Sequence, residues 1–422
     1  MTRVTSNQLA KQAVLEWLRE QEQPITQMVQ ALVAVPSDNP AGDCRAIAAE
    51  TVSQLAKLEL SPRLLPVPEE IARQAGMIAA DNVVAELLLG SGEGPVIILN
   101  AHGDVVPPGE GWTMDPYGGV LREGKLYGRG AAVSKSDIAV YTYAAVALRE
   151  AAPGLNGKIV LAFTYDEETG GEIGPQRLLQ SGQLRGDYAI CAGFTHAAVN
   201  AHNGCLHVEV TLIGKSAHAA IPHTGQDAVQ AMTELLMGLY RYRDELSANV
   251  SRVKGIEHPT LTIGLIHGGI NTNVVPDLCT IRIDRRIIPE ENPEQAEQAL
   301  LERIAQLTAG MAGIRVEVKR IMLARPFGPV PEDHPLLLKL SRNWSEQMGG
   351  VLPVEGVPLY ADARHFAEAG IPTVMFGAGP RTLEEANGHR ADEHVNVDDL
   401  QAAARIVALT LYDLLDEGVD SL

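Results

Sequence analysis

"GPVIILNAHGDVVP", residues 94–107, decides the fold. An apolar run at 96–99 is followed almost at once by His102 and Asp104. Such a run suits a strand buried on both faces. Polar groups directly after it lie where open α/β sheets form their clefts. Working outward, "NVVAELLLG" (82–90), "GKIVLAFTYDEE" (157–168) and "DYAICAG" (187–193) read as further strands. Apolar residues at three- and four-residue spacing predict helices over 5–35, 43–57 and 137–151. Alternating strands and helices argue for an α/β core.

The texture changes near residue 203. "GCLHVEVTLIGKSAH" (204–218) alternates apolar and polar residues, as a half-exposed antiparallel strand does. A helix at 226–245, strands at 258–267 and in "LCTIRIDRRII" (278–288), a helix at 293–309 and the strand "GIRVEVKRI" (313–321) follow. This order makes a small α+β sandwich. Beyond residue 320 the α/β pattern returns, with a helix at 335–348, the strand "IPTVMFG" (371–377) and a helix at 398–416. The expected domains are 1–202 and 321–422, together one catalytic unit, with 203–320 inserted between them.

Composition narrows the function classes. The 422 residues exceed the size at which single cores stop growing. Lys+Arg 34 against Asp+Glu 53 leaves −19, which repels nucleic acid and anionic membrane, so neither is expected as a partner. No apolar run approaches the ~18 residues of a membrane span. The N-terminal segment is charged and amphipathic, without the pattern of a secretory leader. Cys44, Cys191, Cys205 and Cys279 are widely spaced and form no C-x-x-C pair, which points to reduced thiols and a cytoplasmic location.

Three segments place polar groups after buried strands. His102 and Asp104 have the spacing of a ligand and the carboxylate that orients it. In "TYDEETGGE" (164–172), Glu167 and Glu168 leave a buried strand together, and adjacent carboxylates there call for a positive partner. In "NGHRADEHV" (387–395), His389 follows a glycine.

Taken in order, "HGDVVPPGEGWTMDPYGG…GKLYGRGAAVSK", "DEETGG", "GKSAHAAIPHTGQDAV", "NTNVVPD…IDRR", "DARHFAEAGIPTVMFGAGP" and "GHRADEHV" resemble the M20 metallopeptidases. That family includes glutamate carboxypeptidase, succinyl-diaminopimelate desuccinylase, acetylornithine deacetylase and aminoacylase. The resemblance implies a zinc-peptidase-like (phosphorylase/hydrolase-like) α/β catalytic domain, interrupted by a ferredoxin-like lid that commonly dimerises. It implies His102, Glu168 and His389 as metal ligands, Asp104 behind His102, and Glu167 as general base. On the lid it implies a His218 that reaches across the dimer to the developing oxyanion, and Asn273 at the substrate. Arg286 and Arg325 resemble arginines that grip substrate carboxylates.

Two expected ligands are missing. The bridging aspartate of the "GRGAADMKG" pattern is Val133, and the acidic residue of a "GEPT"-like turn is Gly193. Two imidazoles and one carboxylate remain, the minimum for a catalytic metal site with an open position. One divalent transition metal per chain is expected, manganese or zinc by donor type, with iron(II) also compatible. Asp137 and His196 (or Thr195) are candidates to fill the gaps. The leading functional reading is hydrolysis of a C–N bond in a small, carboxylate-bearing substrate by a homodimer. The alternatives are release of ammonia from an aromatic amine such as 5-nitroanthranilate, and a metal-free binding protein on the same fold.

Overall fold

The structure is a computed structural model that describes residues 6–382 and 384–416. The chain divides into two compact units. Among the described residues, the larger comprises 6–200, 330–355 and 361–416, and the smaller comprises 201–329 and 356–360. The smaller unit thus includes a second pass of the chain at 356–360, and its later boundary lies past the composition change at residue 320. No helix among the described residues is long and apolar enough to cross a membrane.

The larger unit is built on an eight-stranded mixed sheet. Its order is Arg63–Pro66, Asp81–Leu89, Gly157–Thr164, Val96–His102, Tyr188–Cys191, Thr373–Met375, Ala198–His202 and Val354–Val357. Val96–His102 is central, parallel to both neighbours, and Ile97, Ile98 and Leu99 are buried. Its register on Gly157–Thr164 pairs His102 with Thr164, so two parallel strands end side by side. Helix Lys135–Ala151 is buried from Lys135 to Leu148, and Val397–Asp416 is buried along most of its length.

The smaller unit pairs Thr260–Gly268, Leu278–Ile287, Gly204–Ile213 and Arg315–Ala324 antiparallel, in that spatial order. Leu206, Val208, Val210 and Leu212 turn one sheet face toward helices Ala228–Leu246 and Pro293–Thr308, forming one core with Leu235, Leu239, Leu300 and Ile304. Asp227 and Asn292 cap the two helices by accepting backbone N–H groups.

Some elements differ from the sequence expectation. The helix read over 5–35 is two, Ser6–Glu20 and Glu22–Val33, and residue 5 lies outside the described residues. Pro24 explains the break: it lacks an N–H and fits only the first turn of a new helix. The hairpin Val120–Arg122/Lys125–Tyr127 and the strand His394–Asn396 paired with it were too short to carry a periodic signal. That pairing returns the C-terminal segment to the start of "GRGAAVSKSD".

Candidate metal and hydrolytic site

Asp104 organises the site. It is fully buried, and its carboxylate accepts from Glu167 N at 3.3 Å, Glu168 N at 3.1 Å and Asn39 Nδ2 at 3.0 Å. Its Oδ1 lies 3.3 Å from His102 Nδ1, which also contacts the Asp104 carbonyl at 3.0 Å. With Nδ1 facing two oxygens it keeps its proton, so Nε2 is the nitrogen that would offer a lone pair to a cation. That nitrogen points toward Glu167, 4.0 Å from its Oε2.

The side chains of His102, Glu167 and Glu168 converge, each offering a ligand atom within 4.8 Å of the others. His389 adjoins this group, with Nε2 3.3 Å from Glu168 Oε1. It follows Gly388 in the left-handed region (φ 62°), uncommon for a side chain of this size. Its side chain is half exposed. Glu168 Oε1 is buried and accepts no hydrogen bond. Such an atom is costly unless a cation meets it.

Electrostatics carry the same message. Burial pushes the Glu167 carboxyl up to about 8; the His102 imidazole opposes this, and Glu168 and Asp104 add to it. Burial lowers the His102 pKa, but the surrounding Glu167, Asp104 and Glu168 outweigh it and hold the imidazolium well above its usual range. The Glu168 carboxylate likewise raises His389, against burial. Carboxylates that hold protons and imidazoles that gain them mark a centre short of positive charge. A divalent cation on His102, Glu168 and His389 fits that shortage and the donor set.

The positions of the two missing ligands are tightly built. Ser134 exchanges hydrogen bonds with the His102 backbone, both at 3.0 Å, which stations Val133 beside the site. The fully buried Glu393 takes N–H groups from Gly130, Ala132 and Val133 on one oxygen and Arg129 on the other. Asp137 accepts from Gly193 N and Ala378 N, so both of its oxygens are engaged by backbone amides. His196 pairs with Asp399 at 2.8 Å, and Thr195 donates to the Gly377 carbonyl. None of the three joins the donor group.

In the smaller unit, the exposed His218 accepts the Ala220 N–H on Nδ1 at 3.1 Å, leaving Nε2 as the protonated nitrogen. It sits on Ala217–His218, paired with Val274–Val275, and Ala219 N donates to the carbonyl of exposed Asn273. Arg286 grips both oxygens of Asp284 at 3.0 Å and lies over the Tyr360 ring. Arg325 pairs with Glu294 on the surface. Cys205, His207 and Asp284 form a second group of possible metal donors. The Arg286 fork already neutralises that carboxylate.

Sequence reasoning did not single out Asp362, Arg364 and His365, three buried residues of "DARH". Thr164 Oγ1 donates to Asp362 Oδ2 at 3.3 Å, and the other Asp362 oxygen accepts no hydrogen bond. Burial and Glu167 raise Asp362 to about 7. Arg364 and His365 hold the Gly170 carbonyl. At Gly171 (φ 67°) a Cβ would lie 2.1 Å from Asp362 Oδ1, so the paired glycines after "DEET" let the strand end close over these side chains. The available signal was an Asp-x-Arg-His run opening a short helix, Ala363–Glu368.

Residues 98–413 match the Peptidase family M20/M25/M40. The chain belongs to that family. It is 29% identical to the acetylornithine deacetylase of Proteus mirabilis (strain HI4320) over 347 residues, covering 81% of this chain and 83% of that one. It is 30% identical to the succinyl-diaminopimelate desuccinylase of Thioalkalivibrio sulfidiphilus (strain HL-EbGR7) over 341 residues, covering 77% and 85%. Human carnosine dipeptidase 1 shares the fold, with a TM-score of 0.74 over 96% of this chain and 99% of that one, at 17% identity. The chain is therefore a metal-dependent hydrolase acting on C–N bonds, which sets aside the reading as a metal-free binding protein.

The titrations set a sign for stability. A carboxyl whose folded pKa is raised keeps a proton that the unfolded chain has lost, so stability falls as pH rises from its ordinary value to the folded one. Glu167 and Asp362 do this from about 4 up to about 7–8. His102, also raised, adds stability below its ordinary value that is lost as pH climbs through the folded one. Metal-free protein is expected to melt several degrees lower at about pH 8.5 than at about pH 5, manganese or zinc reversing the loss and Glu167→Gln flattening the slope. Thermal unfolding with and without chelator checks this; a flat or rising profile in the chelated protein contradicts it.

Proposed function

We propose that this hydrolase cleaves an amide C–N bond in a small N-acylated amino acid bearing a free carboxylate, with one divalent ion per chain. The observation that carries the reading is the convergence of His102, Glu167 and Glu168, with His389 Nε2 3.3 Å from a buried Glu168 oxygen that accepts no well-formed hydrogen bond. The names of the relatives, an acetylornithine deacetylase and a succinyl-diaminopimelate desuccinylase, support an N-acyl amino acid as the substrate class.

When bound, a divalent ion supplies Lewis acidity for the carbonyl and acidifies water. His102, Glu168 and His389 are the residues assigned to hold it. Asp104 fixes the His102 tautomer and, through two backbone N–H groups, the placement of Glu167 and Glu168. Glu167 takes the proton of the attacking water on its free carboxylate and delivers it to the departing nitrogen. His218, with Nδ1 occupied by a backbone amide, has an Nε2–H to donate to the oxyanion. Of the two arginines, Arg325 is the better match for a substrate carboxylate. Its pair with Glu294 lies at the surface, where such pairs are worth little. Arg286 is engaged at both ends of its fork by Asp284.

One ion rather than two follows from charge. Unit charges at about 4 Å already interact by roughly 4 kcal/mol at an effective dielectric near 20, and divalent pairs by about four times that. Val133 offers no carboxylate to offset this repulsion. The four cysteines are unpaired, which supports a cytoplasmic location.

We also assign a homodimer, formed through the inserted unit. Thr260–Gly268 is an edge strand, and Leu265, Ile266 and the following Ile270 expose about half or more of their surfaces (46%, 54% and 81%). An apolar edge of this kind pairs with another strand unless it is blocked.

Four measurements test these assignments. Purified protein dialysed against manganese or zinc should hold one ion per chain, and two ions would overturn the single-centre reading. Glu167→Gln should lower kcat on N-acetyl and N-succinyl amino acids by roughly 10²–10⁴ with metal content unchanged. Ammonia release from a nitroanthranilate, without amidase activity, would instead favour the aromatic-amine alternative. Ile266→Asp should convert the dimer to a monomer in light scattering; a wild-type monomer removes the assembly assignment.

A further inference from the structure

We propose that Asp137 and Tyr141 form a clamp that closes the place of a second cation and so commits the centre to one. The inference rests on the single-ion reading above and names its structural cause. The two residues stand four apart on helix Lys135–Ala151 and so share one face. Both are buried, Asp137 1% and Tyr141 0% exposed. Asp137 accepts from Gly193 N at 3.2 Å with one oxygen and from Ala378 N at 2.6 Å with the other. Tyr141 donates its hydroxyl to the Phe376 carbonyl at 2.8 Å. One helix face therefore holds the backbones of two separate strand ends.

Under that grip the two segments zip together. Phe376 N donates to the Cys191 carbonyl at 3.0 Å, Gly379 N to Gly193 O at 2.8 Å and Thr195 N to Gly379 O at 2.9 Å. Thr195 Oγ1 adds a bond to Gly377 O at 2.7 Å. The approach leaves no room for a side chain at the position of the lost acidic ligand. A Cβ on Gly193 would lie 2.6 Å from Phe376 N and 2.7 Å from Met375 C, both backbone atoms. A Cβ on Gly377 would lie 2.1 Å from Asp137 Oδ1. Val133 removes the carboxylate that two ions would share; the clamp removes the site from which the second ion's own carboxylate would be presented.

Asp137 is thus a positioning residue. A buried carboxyl without hydrogen bonds is costly, and two backbone amides are what this one receives. Burial still pushes it up to about 7. Its position has a defined effect on metal content, which distinguishes it from a helix N-terminal charge.

The test measures bound manganese by mass spectrometry after dialysis, beside the melting temperature. Wild type is the control for the reading beneath this one: two ions or none there fails that reading, whatever the variants do. Given one ion in wild type, V133D/G193E should still hold one and melt lower, because the clamp resists a side chain at 193. Adding D137G to that pair should admit a second ion. Two ions in V133D/G193E with the clamp intact, or one ion in a folded triple variant, overturns the proposal. Should the triple variant not fold, hydrogen exchange in D137A decides. The amides of Gly193 and Ala378 should exchange roughly tenfold faster or more, the loss of a charge-assisted bond, at one ion per chain. Unchanged exchange rejects the clamp.

Discussion

The centre depends on one buried carboxylate. Asp104 ties the end of Val96–His102 to the turn after Gly157–Thr164, taking two consecutive backbone N–H groups from one and facing the imidazole of the other. These are neighbouring parallel strands whose register already sets His102 opposite Thr164. The sheet supplies coarse placement, and Asp104 supplies the last ångström. A carboxylate so deeply buried is tolerable only because both oxygens are engaged. Removing it would release His102, Glu167 and Glu168 together, so these residues stand as one unit.

The other half of the centre is held by separate contacts. Position 133 belongs to a loop wrapped around Glu393, and position 193 to a turn after a short strand, Tyr188–Cys191. Each loop is held by its own contacts, Arg129 and Glu393 in one case, Asp137 in the other. Neither carries His102 or Glu167. A change at 133 or 193 therefore leaves the Asp104 unit standing, which is why two carboxylates can be absent while the hydrolytic residues remain in register. Loops on a rigid scaffold tolerate such change.

This division also explains what the sequence made legible. Buried parallel strands are continuous apolar runs, and His102, Asp104, Glu167 and Glu168 follow such runs directly, so both the sheet and its polar ends can be read from residues alone. The antiparallel texture of the inserted unit is equally plain in "HVEVTLI". The three-residue strands at 120–122, 125–127 and 394–396 have no period to read, yet their pairing returns the His389 loop to the centre. Asp362, Arg364 and His365 escaped for another reason. Their partners, Thr164 and the Gly170 carbonyl, lie nearly 200 residues away, and no local pattern encodes a backbone acceptor. Arg286 shows the converse limit. Its type and motif fit an anion grip, while its own strand gives it Asp284, two residues earlier on the same face.

Charge connects these observations. Replacing two carboxylates by valine and glycine removes two negative charges, and omitting one divalent ion removes two positive ones. The balance of the centre is unchanged by the two losses together, whereas either alone would leave it two charges out. Burial first, and then the neighbouring acids, holds protons on Glu167 and Asp362 well above the ordinary carboxyl range without metal. A single cation at Glu168 offsets the charge of those acids. A second would face Val133 on one side and a closed backbone seam on the other, with no anion to lower the repulsion between the two. The same electrostatics that favour a first ion at Glu168 therefore weigh against a second.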